Sequence, residues 1–264
     1  MESQQVPHVG GSGTNLDTFP KLLMHHAKVR GERPAMREKG LGIWQTWSWA
    51  EVAREVRAIA CGLSALGFKR GDRLAIIGDN RPRLYWAMAA AQCLGGVPVT
   101  LYQDSVAEEM AFVLNDAEVR FAVVEDQEQV DKLTEVRDRV PTLEHILYDD
   151  PRGMRHYGQD FLHSFSEVLG GGRVQDDANP ALFDQEALAT KAGDPAIMLY
   201  TSGTTGKPKG VVHTYHSMIV TARNSVEAEG LTDREEVLAY LPMAWVGDNL
   251  FSYTQSMVAG FCVS

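Results

Sequence analysis

The sequence predicts a layered α/β fold in which mixed or parallel sheets are flanked by helices. The apolar run Arg73–Ile77 is followed by a helical pattern that starts at Pro82 and then by a second apolar run, Val97–Leu101. Strand, helix and strand in that order are typical of a parallel βαβ unit. The chain has 264 residues, 44% of them hydrophobic and 23% charged, which is a globular composition long enough for one large domain or two small ones.

Composition and charge exclude several classes of function. The net charge of −10 argues against nucleic-acid binding, which usually needs a basic face. Cys61, Cys93 and Cys262 are far apart and form no C-x-x-C pair, so we interpret them as core residues of a reducing, cytoplasmic protein. Residues 1–14 are polar and rich in glycine, and we expect a disordered tail rather than a signal peptide.

Local signals place the first elements after this tail. A short amphipathic helix is expected at residues 19–29 and a strand at residues 43–47. Ser48 and Glu51 have the spacing of a capping box, in which each residue caps the backbone of the other, so a helix should begin there. Gly67 is expected to end that helix.

The middle of the chain continues the alternation of helices and strands. Ser105 and Glu108 form a second candidate capping box, and Phe121–Val124 is a short apolar run typical of a buried strand. The next helix is expected to start beside Asp126, where a negative charge complements the helix dipole. Residues 149–178 are polar and contain three consecutive glycines, so we interpret them as a surface insertion.

A segment rich in glycine and hydroxyl groups follows the apolar run at residues 196–200. Within ten residues it contains four hydroxyl side chains, three glycines and two lysines, namely Thr201, Ser202, Thr204, Thr205, Gly203, Gly206, Gly210, Lys207 and Lys209. Glycines let backbone N–H groups approach a ligand, hydroxyls donate hydrogen bonds, and lysine adds a positive charge. This combination favours a loop that binds a polyphosphate over a flexible surface loop. A Walker-type NTPase is disfavoured, because Pro208 stands where that motif needs Ser or Thr.

The residues from Thr201 to Gly210 resemble the signature loop of the adenylate-forming superfamily, which includes acyl-CoA synthetases, luciferases and the adenylation domains of peptide synthetases. Residues 46–52 and 93–99 resemble two further signatures of that family. Residues 241–248, Leu-Pro-Met-Ala-Trp-Val-Gly-Asp, look most like the acyl-pocket segment of long-chain acyl-CoA synthetases. The resemblance implies an ATP-dependent ligase that forms acyl-CoA, AMP and pyrophosphate through an acyl-adenylate.

The resemblance also implies a role for each residue of the motif. Thr201 and Lys207 are the candidate catalytic residues, Thr201 as a contact of phosphate and Mg²⁺ and Lys207 as the charge that offsets the departing pyrophosphate. Trp245 and Gly247 are expected to line the acyl pocket. The implied partners are ATP, Mg²⁺, CoA and a carboxylic acid, together with a peripheral membrane contact for long-chain acids. The residues expected to bind the phosphates are Thr201, Ser202, Gly203, Thr204, Thr205, Gly206 and Lys207.

The resemblance further implies that residues 15–264 form a partial N-terminal domain. The family's metal-binding glutamate, its ribose-binding aspartate and its C-terminal lid domain have no counterpart in these 264 residues. We therefore expect the chain to be inactive by itself and to expose Phe261 and Val263 at its end. The alternative is a non-catalytic module that binds a nucleotide or a partner protein.

Overall fold

The computed structural model describes residues 15–201 and 208–264. The expected tail at residues 1–14 and residues 202–207 of the signature loop lie outside this description. The described residues form a seven-stranded sheet and a four-stranded sheet, both flanked by helices. The predicted fold class is therefore confirmed.

The strands and helices alternate along most of the chain. The strands are β1 (Pro34–Gly40), β2 (Ile43–Ser48), β3 (Arg73–Ile77), β4 (Val97–Leu101), β5 (Phe121–Val124), β6 (His145–Tyr148), β7 (Leu162–Ser164), β8 (Pro195–Thr201), β9 (Lys209–Thr214), β10 (Glu236–Val237) and β11 (Cys262–Val263). The α-helices are α1 (Phe19–Val29), α2 (Trp49–Ala65), α3 (Pro82–Cys93), α4 (Ala107–Asp116), α5 (Gln127–Val136), α6 (Phe165–Ala178), α7 (Leu182–Leu188), α8 (Tyr215–Glu229) and α9 (Gln255–Ala259). A π-helix at Asp248–Thr254 precedes α9.

The large sheet has the order β7-β6-β5-β3-β4-β8-β9. All neighbouring pairs from β7 to β8 are parallel, and only β9 runs antiparallel to its neighbour. Alternation along β3 fills both faces: Leu74 and Ile76 join the core cluster that contains α1 to α3, whereas Ala75 and Ile77 join the one that contains α4 and α5. The carboxyl ends of the parallel strands therefore meet at a single edge, between two helical layers.

One of the two predicted capping boxes is present. The Ser48 hydroxyl accepts from the N–H of Glu51 at 3.3 Å, and the Glu51 carboxylate accepts from the N–H of Ser48 at 2.8 Å. The prediction for Ser105 and Glu108 is wrong, because α4 begins one residue later than that box requires and has no side-chain cap. The Glu108 carboxylate instead accepts a hydrogen bond from Arg139 at 2.6 Å, a partner remote in sequence.

The interpretation of residues 149–178 as a surface insertion is also wrong. This segment contains β7, which extends the large sheet, and α6, which packs on α2. A Cβ atom on Gly172 would lie 1.8 Å from the carbonyl oxygen of Ala58, and one on Gly62 would lie 2.4 Å from that of Val168. These glycines allow two helix backbones to approach closely, so the polar, glycine-rich composition reflects a helix contact.

The last residues of the chain are buried rather than exposed. β11 lies between β10 and β1 in the small sheet, and both pairings are parallel. Phe261 is fully buried and Val263 is 6% exposed, so the expectation of an exposed apolar end is wrong. In the small sheet, β10 contains only Glu236 and Val237, and Leu238 and Tyr240 beyond it are exposed.

Candidate functional site

The signature loop is framed by the hairpin of β8 and β9. Thr201 is the last residue of β8 and pairs with Lys209, the first residue of β9, while Tyr200 pairs with Gly210. The loop therefore follows directly after a strand, as the sequence predicted, and its residues 202–207 lie outside the described ranges. β9 was not predicted from the sequence, because its only apolar run is the pair Val211 and Val212.

The hairpin is packed closely beside its connecting loop. The Tyr200 hydroxyl donates to Asp116 Oδ2 at 2.6 Å. Burial, reinforced by the Asp116 carboxylate, raises the pKa of the Tyr200 phenol. A Cβ atom on Gly210 would lie 3.1 Å from Cζ of the Tyr200 ring, which is tighter than ordinary van der Waals contact. Gly210 thus leaves room for the tyrosine, while Thr201 and Lys209 are exposed where the two strands meet the signature loop.

Hydrogen bonds connect the residues that follow β3, β4 and β5 at the carboxyl edge of the large sheet. Asp79 follows β3, Gln103 follows β4 and Glu125 follows β5. The Glu125 carboxylate accepts from the N–H of Asp79 at 2.6 Å and from Nε of Arg81 at 2.9 Å. The Gln103 amide donates to Asp79 Oδ1 at 2.5 Å. Charge-assisted hydrogen bonds are stronger than neutral ones, so these side chains should be held rigidly at the edge of the sheet.

The expected acyl-pocket segment forms a compact turn. Trp245 is 47% exposed, so its indole is not part of the core. The Asn249 amide donates to the carbonyl oxygens of Met243 and Trp245, both at 2.8 Å. A Cβ atom on Gly247 would lie 2.8 Å from Cδ1 of Leu241, so this position favours a residue without a side chain. The turn presents Trp245 on the surface, where its role as a pocket wall stays a prediction.

Asp248 is a residue of this segment that the sequence analysis did not single out. Its buried carboxylate accepts from the Tyr85 hydroxyl at 2.8 and 3.0 Å and from the Asn80 amide at 2.9 Å. Burial raises the pKa of Asp248 to about 6, against the opposing effect of these hydrogen bonds. Asn80, which follows β3, also donates to the carbonyl oxygen of Leu241 at 3.0 Å. The sequence could have indicated this residue, because Asp248 is the one charged side chain in the otherwise apolar segment 241–248.

The π-helix that begins at Asp248 continues directly into α9. π-Helical turns occur frequently at functional sites. The Tyr253 hydroxyl donates to Oε1 of buried Gln92 at 2.7 Å, and Nε2 of Gln92 donates to the carbonyl oxygen of Ala196 in β8 at 2.9 Å. Gln92 thus connects the π-helix to the strand that leads into the signature loop.

Within residues 15–201 and 208–264, no group of three or more His, Cys, Asp or Glu side chains is arranged to hold a metal ion. None of the helices in these ranges combines the length and apolar character that a membrane-spanning segment requires.

Known proteins share both the sequence and the fold. Long-chain-fatty-acid–CoA ligase FadD15 of Mycobacterium bovis is 32% identical over 209 residues, which cover 78% of this chain and 33% of the relative. Long-chain-fatty-acid–CoA ligase ACSBG2 of Xenopus laevis is 28% identical over 248 residues, covering 92% of this chain and 33% of the relative. The chain therefore spans about one third of the length of the curated relatives it matches.

Solved structures agree with this similarity. The inhibitor-bound N-terminal domain of FACL13 from Mycobacterium tuberculosis superposes with a TM-score of 0.78 at 25% identity, covering 94% of this chain and 57% of that chain. The anthranilate CoA ligase AuaEII, in complex with anthranoyl-AMP, gives a TM-score of 0.74 at 20% identity over 93% of this chain and 44% of that chain, and supports the fold alone. The sequence profile described as AMP-binding enzyme matches residues 23–264. The chain therefore belongs to the AMP-binding enzyme family, and it corresponds to the N-terminal portion of acyl-CoA ligases.

Proposed function

We propose that these residues supply the nucleotide-binding part and a wall of the acid pocket of an AMP-forming long-chain acyl-CoA ligase. In the first step, a carboxylate oxygen of the acid bonds to the α-phosphorus of ATP, and the bond to pyrophosphate breaks. In the second step, the CoA thiol loses its proton and forms the thioester, and AMP leaves. The main support is that Thr201 and Lys209, which flank the hydroxyl-rich segment in sequence, lie at the carboxyl edge of the parallel strands.

The loop's contribution is binding and charge neutralisation. Backbone N–H groups and the hydroxyls of Ser202, Thr204 and Thr205 would bind phosphate oxygens, and Lys207 would offset the charge of the departing pyrophosphate. Thr201 suits Mg²⁺, because its hydroxyl is exposed at the strand end and Mg²⁺ usually takes few protein ligands besides water and substrate phosphates. When bound, Mg²⁺ would neutralise charge on the phosphates.

The acid would lie against the turn that carries Trp245 and Gly247. The half-exposed indole offers an apolar wall, and the missing side chain at Gly247 keeps the turn close to Leu241. The hydrogen bonds of Asp248 would hold this wall against α3. We place the reaction in the cytoplasm, which agrees with the three free, buried cysteines.

Isotope exchange between pyrophosphate and ATP, measured with added fatty acids, tests this function. We expect no exchange with the 264-residue chain, because it spans about one third of the length of its curated relatives. A polypeptide that joins residues 1–264 to the remaining part of the Mycobacterium bovis relative should show exchange that depends on the acid. The complete relative serves as the positive control, and circular dichroism checks that the joined polypeptide is folded.

Two outcomes would contradict the proposal. A folded joined polypeptide without acid-dependent exchange would favour a non-catalytic module that only binds nucleotide. Measurable acyl-adenylate from the 264-residue chain alone would show that the chain needs no further segment for the first step.

A further inference from the structure

The tip of the β1–β2 hairpin exposes a group of apolar side chains. We use the term hairpin tip for residues 41–44. Leu41 is 104% exposed relative to its reference state, Ile43 is 68% exposed and Trp44 is 52% exposed. Three large apolar side chains adjacent on one projecting turn differ from the single exposed apolar residues that are normal on protein surfaces. Their exposure therefore needs a physical explanation.

The turn geometry does not explain the leucine. Leu41 has φ of 49° and Gly42 has φ of 84°, and Gly40 pairs with Ile43, so the two residues form a two-residue loop with both φ angles positive. Such turns favour Asn-Gly or Asp-Gly, and a bulky side chain is disfavoured at the first position. A leucine in this position costs conformational energy, and none of the described residues covers its side chain.

The two faces of the hairpin differ. On one face, Trp47 packs edge-to-face on Trp86 with ring centroids 5.4 Å apart, which fixes the base of the hairpin to α3. On the other face, Lys39 lies opposite Trp44, with its Nζ 5.9 Å from the centre of the indole. Lysine and tryptophan beside apolar tips are the residues that occupy the boundary between lipid chains and headgroups.

We propose that the hairpin tip inserts into the surface of a lipid bilayer. Leu41 and Ile43 would enter the boundary of the acyl chains, Trp44 would lie at the headgroups, and Lys39 would contact lipid phosphate. In the part of the chain that the structure describes, β2 is an edge strand of the small sheet. A second copy paired along this edge would cover the strand but leave Leu41 beyond its end exposed, whereas a bilayer covers all three apolar side chains. The proposal rests on the hairpin, and it gives a location to the membrane contact expected for a ligase of long-chain acids.

Co-sedimentation with vesicles tests the proposal without ATP, CoA or acid, so its result is independent of the exchange assay. The chain is mixed with phosphatidylcholine vesicles and with vesicles that also contain phosphatidylglycerol. We expect binding to both, because each lipid offers acyl chains to the apolar side chains and a phosphate to Lys39. Leu41→Asp should reduce partitioning into vesicles about tenfold or more, since it removes a leucine side chain that the bilayer would bury. Aspartate tolerates positive φ better than leucine, so the variant should keep its fold.

Val174→Asp is the matched control, because Val174 is 70% exposed on α6 and the substitution makes the same change in charge. It should bind vesicles like the wild type. Quenching of tryptophan fluorescence by brominated lipid locates the contact. Trp44→Phe and Trp245→Phe are compared, because each removes one exposed tryptophan. We expect Trp44→Phe to abolish the quenching and Trp245→Phe to leave it unchanged.

Three results would overturn the proposal. The first is no binding of the wild type to either vesicle. The second is an equal loss of binding in Leu41→Asp and Val174→Asp, or quenching that depends on Trp245. The third is a dimer in sedimentation velocity that Leu41→Asp converts to a monomer without any effect on vesicles, which would identify the hairpin tip as a contact between copies.

Discussion

The hydroxyl of Tyr85 donates to the carboxylate of Asp248, with oxygen–oxygen distances of 2.8 and 3.0 Å across 163 residues of sequence. Tyr85 lies on α3, and Asp248 begins the π-helix after the Trp245 turn. Both side chains are buried, so the bond is shielded from water. It holds the proposed wall of the acid pocket against the helix that follows β3.

Asp248 should make the stability of the chain depend on pH. Its pKa is raised from 3.8 to about 6 by burial, so the folded chain keeps a proton that the unfolded chain releases between these values. The free energy of unfolding therefore falls as pH rises through this window, by up to about 3 kcal/mol, and the cost is complete above pH 6. Asp248→Asn should gain stability relative to the wild type as pH rises from 4 to 7, measured by urea unfolding. An unchanged difference at both pH values would contradict the assigned pKa.

His26 should have the opposite effect. Its Nε2 bonds to the carbonyl oxygen of Met257 at 2.8 Å, its ring lies against Trp49 with centroids 4.5 Å apart, and burial lowers its pKa from 6.5 to about 4. Between pH 6.5 and pH 4, His26 binds a proton in the unfolded chain but stays neutral in the folded chain. The free energy of unfolding therefore falls by up to about 3 kcal/mol as pH drops from 6.5 to 4.

His26→Gln should remove this loss at acidic pH while keeping a donor for Met257. Urea unfolding of both proteins across this pH range is the measurement. Because the effects of His26 and Asp248 oppose each other over overlapping ranges, each variant is compared with the wild type separately. The same pH dependence in His26→Gln and wild type would show that His26 is not the responsible group.

Gly172→Ala should destabilise the chain by more than about 2 kcal/mol. Its new methyl group would lie 1.8 Å from the carbonyl oxygen of Ala58 and would force α6 away from α2. Gly171→Ala is the matched control on the same helix, with no atom within 4 Å of its new methyl group. It should stabilise the chain by about 0.5–1 kcal/mol through helix propensity. Equal unfolding midpoints for the two variants would argue against the close helix contact.

Lys207→Ala should slow adenylation about a hundredfold to a thousandfold in the polypeptide joined to the remainder of a ligase. The reason is that one preorganised charge on the departing pyrophosphate would be lost. Pyrophosphate exchange gives the rate, and circular dichroism checks the fold. Lys209→Ala is the control, because it removes a lysine next to the same loop from an exposed position in β9. Its rate should fall much less, and a wild-type rate in Lys207→Ala would exclude the proposed role.

The sequence by itself determined the local elements and the family. Arg73–Ile77 and Val97–Leu101 are strands with the predicted bounds, and Ser48 caps α2 as expected. These features depend on residues a few positions apart, so their patterns are readable without a fold. The signature loop after β8 is likewise a contiguous pattern, and it indicates the family to which the chain belongs.

Only the tertiary structure decided which distant residues meet. The glycines of α6 looked like a loop because their partner helix lies more than a hundred residues earlier, and Glu108 pairs with Arg139 instead of capping α4. Phe261 is buried because β1 and β10 flank the last strand. Asp248 is held in place by a hydrogen bond from Tyr85, which lies 163 residues earlier in the sequence. Each of these contacts joins segments that are distant along the chain, and a local pattern carries no information about the partner.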